Sequence, residues 1–465
     1  MRSMMVAAIF ACAGGSVALA LSLQGCSNSD AAPPASDAGD AGVVDAADET
    51  AVDAGPDIDQ PSNVYPAQHQ PIPLMHSLGG PVLPSMQLVT VTFAGAPSRD
   101  SVRAFDDAII KSGWWTTVMT GFGVGKGTSG GYADLPNDFG VDAGASVTIT
   151  DDDIHTLLQA KITSGELPRP IQGVTAYALY FPKNVSIQNG SETSCQSFGG
   201  YHYAFMANVP APSGDAGADA GPGGTFNVPY AVMPRCDSFP NDAVTNFTQL
   251  TYFGSHELAE MASDPFPWTG FVLDTDDAWL PSFYAPGTII ENGDACSNIY
   301  DVNLASYDDP SGYSVQRIWD NAAAAASDAP CQPTKANRIY FAAAVKTDKG
   351  KFNGHDTYGY VVVPSGGSVD VVVNVFSKAE LPHDALLYVG KEKQGATDPS
   401  DMGKISNTVT VALSRQQVHN GSGVIMTVSA GTASLKGQGG DQRLLVRAVL
   451  EKDDYNDWPF IVRVK

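Results

Sequence analysis

Apolar and polar residues change their spacing along this chain, and the changes mark its elements. Met86 to Ala94 (MQLVTVTFA) reads as a strand, and Ser98 to Lys111 follows at helical spacing with Phe105, Ile109 and Ile110 inward. Thr150-Asp151-Asp152-Asp153 resembles an acidic helix cap, after which Ile154, Leu157, Leu158 and Ile162 recur at helical spacing. Gly173 to Phe181 (GVTAYALYF) reads as a central strand, and Val228 to Met233 as another. Val244, Phe247, Leu250 or Thr251, Gly254, Leu258 and Met261 then predict a helix with one buried face, ending near Asp264-Pro265. From about Arg338 the texture changes to short runs between Gly, Asp, Asn and Pro turns: IYFAAAV, YGYVVV, SVDVVVNVF, ALLYVG, TVTVAL, GVIMTVSA, RLLVRAVL and FIVRVK. No convincing helix interrupts them, which predicts an antiparallel β-sandwich over 336–465 behind an α+β domain over 64–335.

The chain has 465 residues, enough for two or three domains with real cores. Its formal charge of −24 repels phosphate backbones and argues against a nucleic-acid partner. Much of that charge lies in residues 26–63, an Ala/Asp/Gly/Pro-rich stretch without a basic residue, which reads as a disordered linker. Residues 213–224 (SGDAGADAGPGG) repeat its flavour and read as a disordered surface insertion. Ahead of the linker, Arg2 and the apolar run from Met4 to Leu23 form a targeting segment over 1–25. It ends in Leu23-Gln24-Gly25-Cys26, which resembles the lipobox of bacterial lipoproteins. That resemblance implies lipidation of Cys26, anchoring to the outer or cytoplasmic membrane, and a cell-envelope location. A plain secretory peptide is the competing reading.

Four cysteines remain beyond this region: Cys195, Cys236, Cys296 and Cys331. No CxxC spacing favours a cysteine zinc site, so disulfides are expected, with three pairings open. Sequential pairing would close two loops of similar length, each stabilising by up to ~4 kcal/mol.

The candidate chemistry lies in SHELAEMASD, Ser255 to Asp264. On a helix His256 and Glu260 share one face, about 5–6 Å apart at Cβ, and can converge on one ion. Glu257 projects about 100° around the helix, placed to take a proton from metal-bound water. This is the layout of the zincin helix with glutamate replacing the second histidine of HExxH, and it implies a zincin-like mixed sheet around it. No Lys or Arg occurs between Arg235 and Arg317, so carboxylates gather here without a basic partner nearby in sequence. A polar helix facing solvent is the competing account. Asp274 to Asp277 (DTDD) lacks the glycine and final glutamate of an EF-hand loop and reads as a solvated acidic loop.

Taken in order, MHSLGGPVLPSMQLVTVTFAG, Trp114-Trp115, TDDDIHTLL, SCQSFGGYHYAF, VPYAVMPRC, HELAEMASDPF and ENGDAC resemble the EXORDIUM (phosphate-induced protein) family over roughly residues 75 to 335. The plant branch of that family is linked to growth in the cell-wall space and lacks the HELAE helix. The likeness is closer to the bacterial branch, which carries HELAE, a TDP-like turn and an E-x-G-D-x-C segment. Here these are His256, Glu257, Glu260, Asp264-Pro265, Glu291, Asp294 and Cys296, with Asn292 where an aliphatic residue is expected. The resemblance places the third metal ligand at Glu291 first, Asp294 second and His202 third; Asp264 is nearer in sequence but sits at the helix end. Zn²⁺ held this way supplies hydroxide near neutral pH, with Glu257 as general base and Tyr201 or Tyr203 weighed as oxyanion donors against packing roles. The expected function is zinc-dependent hydrolysis, most simply of a peptide bond. The alternative is a non-catalytic envelope protein with a relic or structural metal site, whose sandwich binds polysaccharide or another envelope polypeptide.

Overall fold

The computed structural model describes residues 61–465 apart from 95, 97, 138, 140–145, 212–222, 237–245, 274–278, 280–289, 298–305, 353–354, 394–395, 397 and 433–440. The targeting segment, Cys26, the linker up to residue 60, residues 213–222 of the insertion and the DTDD run lie outside the described residues.

The fold is mixed α/β and rich in strands. Its first sheet holds β1 (Gln87–Phe93), β2 (Thr128–Leu135), β3 (Thr175–Tyr180), β4 (Tyr201–Val209) and β5 (Gly224–Met233) in the order β2-β1-β3-β5-β4. The first four in that order are parallel, and β4 runs antiparallel to β5 at the edge. Strand alternation sorts the side chains into two layers. Val89, Val91, Phe93, Tyr177, Leu179, Tyr230 and Val232 pack with Ile154, Leu158 and Ile162 of α3 (Asp151–Ser164). Leu88, Ala176, Ala178, Tyr180, Ala231 and Met233 face the other way, towards α1 (Arg99–Ile109), α2 (Gly113–Met119) and α4 (Asn246–Ser263). The small residues on that face let α4 lie close to the sheet. Helix α3 starts where its sequence predicts: Thr150 and Asp153 form a reciprocal capping box.

Two expectations need adjusting in this region. Strand β5 begins at Gly224 rather than Val228, so the last residue assigned to the insertion is paired, opposite Val209. Helix α4 is buried all round instead of on one face, because β6 (Ser306–Asp308) and β7 (Ser314–Gln316) form a hairpin whose second strand bonds to the helix.

The C-terminal part contains a four-stranded sheet and a six-stranded sheet. The first is β8 (Phe341–Val345), β11 (Ser368–Ser377), β15 (Gly423–Ala430) and β13 (Val409–Leu413), in that order. The second is β9 (Asp348–Phe352), β10 (His355–Val363), β17 (Asp454–Val464), β16 (Asp441–Glu451), β12 (Ala385–Gly390) and β14 (Gln417–Val418). All eight expected runs are strands, and β9 and β14 are additional. Pairing is antiparallel throughout except between β10 and β17, which run parallel, so a purely antiparallel arrangement does not hold. The chain returns to β10 only at its last strand, and that return fixes the direction.

The two parts share one apolar cluster. Trp279 stands edge-on to both Trp319 and Trp458, and Trp458 edge-on to Phe376. The N-terminal segment is fastened to the C-terminal part by buried Asn420. Its amide nitrogen donates to the carbonyls of Ser62 and Val64 at 2.9 Å each, and its oxygen accepts from the backbone N–H of Ala67 (3.2 Å) and Ser377 (2.9 Å).

Candidate metal centre

Four segments bring the candidate residues together. Helix α4 supplies His256, Glu257 and Glu260; edge strand β4 supplies His202; the turn after Ile290 supplies Glu291 and Asp294; and β7 closes the site with Gln316. The disulfides Cys195–Cys236 and Cys296–Cys331 select the sequential pairing. The first ties the loop before β4 to the end of β5. The second anchors the turn two residues after Asp294.

The donors converge on Glu260. His256 Nε2 lies 3.1 Å from Glu260 Oε2 and 3.7 Å from Asp294 Oδ1, while His202 Nδ1 lies 3.6 Å from Glu260 Oε2 and 3.6 Å from Glu257 Oε2. Two possible ligand groups therefore share Glu260: His256–Glu260–Asp294 and His202–Glu257–Glu260, with ligand atoms within 4.8 Å in each. None of the six residues, Glu291 included, is more than 7% exposed. Glycines make this close approach possible. A Cβ on Gly293 would come within 2.8 Å of Glu260 Oε1 and of His256 Nδ1, and one on Gly200 within 2.8 Å of Glu257 Oε1.

The outer nitrogen of each imidazole is already engaged. His256 Nδ1 donates to Gln316 Oε1 at 2.9 Å, and His202 Nε2 donates to the Asp264 carbonyl at 3.1 Å. Since a carbonyl oxygen only accepts, the neutral rings carry their protons outward. Both lone pairs then face inward towards Glu260. Metal-binding histidines show this arrangement, with the second nitrogen tied to a carbonyl or carboxylate.

Electrostatics add a demand for positive charge. Among the described residues, the two imidazoles are the only cationic groups within ion-pair reach of Glu257, Glu260 and Glu291. Glu257 Oε2 and Glu291 Oε1 are buried without a hydrogen-bond partner among those residues. Burial disfavours both imidazolium forms, but the carboxylates outweigh it and hold both histidines well above their ordinary pKa. For His202 the main opposing group is Glu291, and for His256 it is Glu260. Burial pushes Glu257 up and Glu291 well up, whereas His256 and His202 overcome burial at Glu260 and bring it to about 2. Protons and a divalent cation would compete for the same lone pairs, and two imidazole nitrogens among carboxylate oxygens suit Zn²⁺.

The ligand order anticipated from sequence changes in this geometry. Asp294 faces His256, whereas Glu291 lies 3.4 Å from His202 Nε2, the nitrogen pointing away from Glu260. His202, ranked third, touches Glu260 directly. Asp264 is occupied elsewhere: its carboxylate accepts from the N–H groups of Thr269 and Gly270 and closes the turn after α4. Tyr201 donates to Asp151 at 2.6 Å on the opposite face of the sheet, which gives it a packing role, and Tyr203 is 41% exposed. Sequence reading missed Gln316, which stands sixty positions from His256 and belongs to no motif.

No family model and no curated protein matches the chain. Among solved structures, the sialic acid binding region of a Streptococcus sanguinis SK1 adhesin aligns with 28% of this chain and 31% of its own length, at 10% identity and TM-score 0.20. The chain thus spans under a third of that adhesin. Domains 4 and 5 of the S-layer protein SbsC align with 36% of this chain and 93% of theirs, at 12% identity and TM-score 0.16. Likenesses this weak carry no argument about fold or function.

Proposed function

We propose that this chain is an exported, lipid-anchored zinc-dependent hydrolase, most simply a peptidase. The observation that carries the reading is the pair of imidazoles held from outside, with their inner nitrogens directed at one buried glutamate. His256, Glu260 and Asp294 would hold the ion, with His202 lying 3.6 Å from the same Glu260 oxygen that faces His256. When bound, Zn²⁺ lowers the pKa of a coordinated water towards ~7. Glu257 is the general base: its Oε2 accepts no hydrogen bond from the described residues, and burial raises its proton affinity above that of an ordinary glutamate. The Asp264 carbonyl orients His202 from its outer nitrogen, and Glu291, 3.4 Å from that nitrogen, adds negative charge beside it.

The finer fold assignments belong to the same proposal. A mixed sheet whose edge strand contributes a donor beside those of α4 supports a zincin-like domain, and two sheets on one core support a C-terminal sandwich. Motif order supports kinship with the bacterial EXORDIUM-like branch. Two disulfides fit an oxidising compartment, in keeping with a lipidated Cys26 at the outer or cytoplasmic membrane and a cell-envelope polypeptide as substrate.

Zinc content and peptide hydrolysis, measured on protein lacking the lipid, test this reading. Stoichiometric zinc should be lost in Glu260→Ala, while Glu257→Gln should retain zinc and lose hydrolysis. A metal-free wild type, or full activity in Glu257→Gln, refutes it. The depth of the site favours one second reading, a structural ion in a non-catalytic protein whose C-terminal part binds an envelope polypeptide or polysaccharide. Zinc retained by a wild type that hydrolyses no peptide would select it.

A further inference from the structure

Gln316 is 1% exposed, and each of its polar groups has a partner. Its backbone N–H donates to Ser255 Oγ at 2.8 Å, and its carbonyl accepts from the Trp114 indole at 3.0 Å. The side-chain nitrogen donates to the Gly293 carbonyl at 2.6 Å, and the side-chain oxygen accepts from His256 Nδ1 at 2.9 Å. The Gly293 carbonyl cannot donate, so it fixes which end of the amide faces it. The other end, the oxygen, must then face the imidazole. A hydrogen-bond acceptor at Nδ1 leaves Nε2 as the only lone pair of the neutral ring.

We propose that Gln316 is a positioning residue of the metal centre. It selects the binding tautomer of His256 and sets the spacing between that imidazole and Asp294 by bonding the preceding Gly293. The inference rests on the metal reading and adds a residue to it. Gln316 reaches no substrate; it acts on His256 from one side and on the Asp294 turn from the other. An amide suits the position because one group must accept and the other donate. A carboxylate retains the first contact and loses the second, and an aliphatic side chain loses both.

Zinc affinity of the full folded chain, measured by competition with a chromophoric chelator, tests the proposal in wild type, Gln316→Glu and Gln316→Leu. Gln316→Leu should bind zinc about 10- to 100-fold more weakly, the usual loss when the outer partner of a metal-bound histidine is removed. Gln316→Glu, which keeps the acceptor for Nδ1 but not the bond to Gly293, should recover part of that loss. In ¹H–¹⁵N spectra of the zinc-loaded proteins, the Nδ1 proton of His256 should be shifted downfield by its hydrogen bond in wild type and Gln316→Glu but not in Gln316→Leu, a signature that packing alone would not impose. Equal affinity in Gln316→Leu and wild type overturns the proposal, as does an equal loss in both variants. If the wild type binds no zinc, the metal reading falls and takes this inference with it, whereas zinc bound equally by wild type and Gln316→Leu sinks the inference alone.

Discussion

Replacing Asp106 with asparagine should remove a specific pH dependence from the stability of this protein. Asp106 lies on α1, 1% exposed, with Thr90 donating to Oδ2 and Tyr180 to Oδ1 at 2.6 Å each. Burial raises its pKa from 3.8 to about 7, against the pull of the two hydroxyls. Between those values the folded chain keeps a proton that the unfolded chain has lost. Stability therefore falls as pH rises, by about 1.4 kcal/mol per unit, and levels off above the folded pKa. Between pH 5 and pH 8 the loss from this group alone comes to about 2.5 kcal/mol. The acidic site on α4 titrates as well, so the informative quantity is the difference between wild type and Asp106→Asn. Urea unfolding followed by tryptophan fluorescence, with disulfides intact, should show that difference moving by about 2.5 kcal/mol in favour of the variant as pH rises from 5 to 8. Parallel pH profiles for the two proteins would show that Asp106 is ionised in the fold and would refute the reasoning. The group also lies close to α4: a side chain on Gly254 would come within 3.0 Å of the Phe105 ring and 3.1 Å of the Tyr180 hydroxyl, so the helix packs directly against this network.

Two further substitutions test how the centre is held. Replacing both Cys296 and Cys331 with serine opens a loop of 35 residues and should cost about 4 kcal/mol in urea unfolding. It should also weaken zinc binding, because Asp294 loses its nearby anchor; unchanged affinity would mean that the turn holds itself. Gly293→Ala introduces a Cβ 2.8 Å from both Glu260 and His256 and should cost about 1–3 kcal/mol through crowding. Its zinc affinity should fall as well, and tight binding by this variant would argue against the packed geometry at that point.

Local patterns carried much of the architecture. The alternation in MQLVTVTFA, the Thr150–Asp153 cap and the eight late apolar runs each correspond to an element, because each depends on neighbours along the chain. His256, Glu257 and Glu260 were legible for the same reason, since one helix sets their spacing. The rest of the centre depends on long-range placement. In β4 the buried His202 sits next to exposed Tyr203 and inward Tyr201, and nothing local shows that its face meets α4. Glu291 and Asp294 are three residues apart in one turn, yet one reaches the outer nitrogen of His202 and the other faces His256. Sequence spacing could not order them, since a short 3₁₀ turn and a disulfide decide their directions. The parallel pairing of β10 with β17 escaped for a related reason: strand direction is set by which distant strand fills the gap.

The Asn420 clasp has a mechanical consequence. A pull applied at Ser62 falls on Asn420, because Ser62 bonds to its backbone carbonyl and its side-chain amide, and Val64 and Ala67 bond to that same side chain. Tension is thereby passed into the C-terminal sheets at Ser377 before it reaches Met75 and the segments that carry the histidines. Peeling residues 61–67 would break the clasp before any load reached α4 and its carboxylates, so the clasp acts as a strain relief between a tugged segment and a closely packed centre.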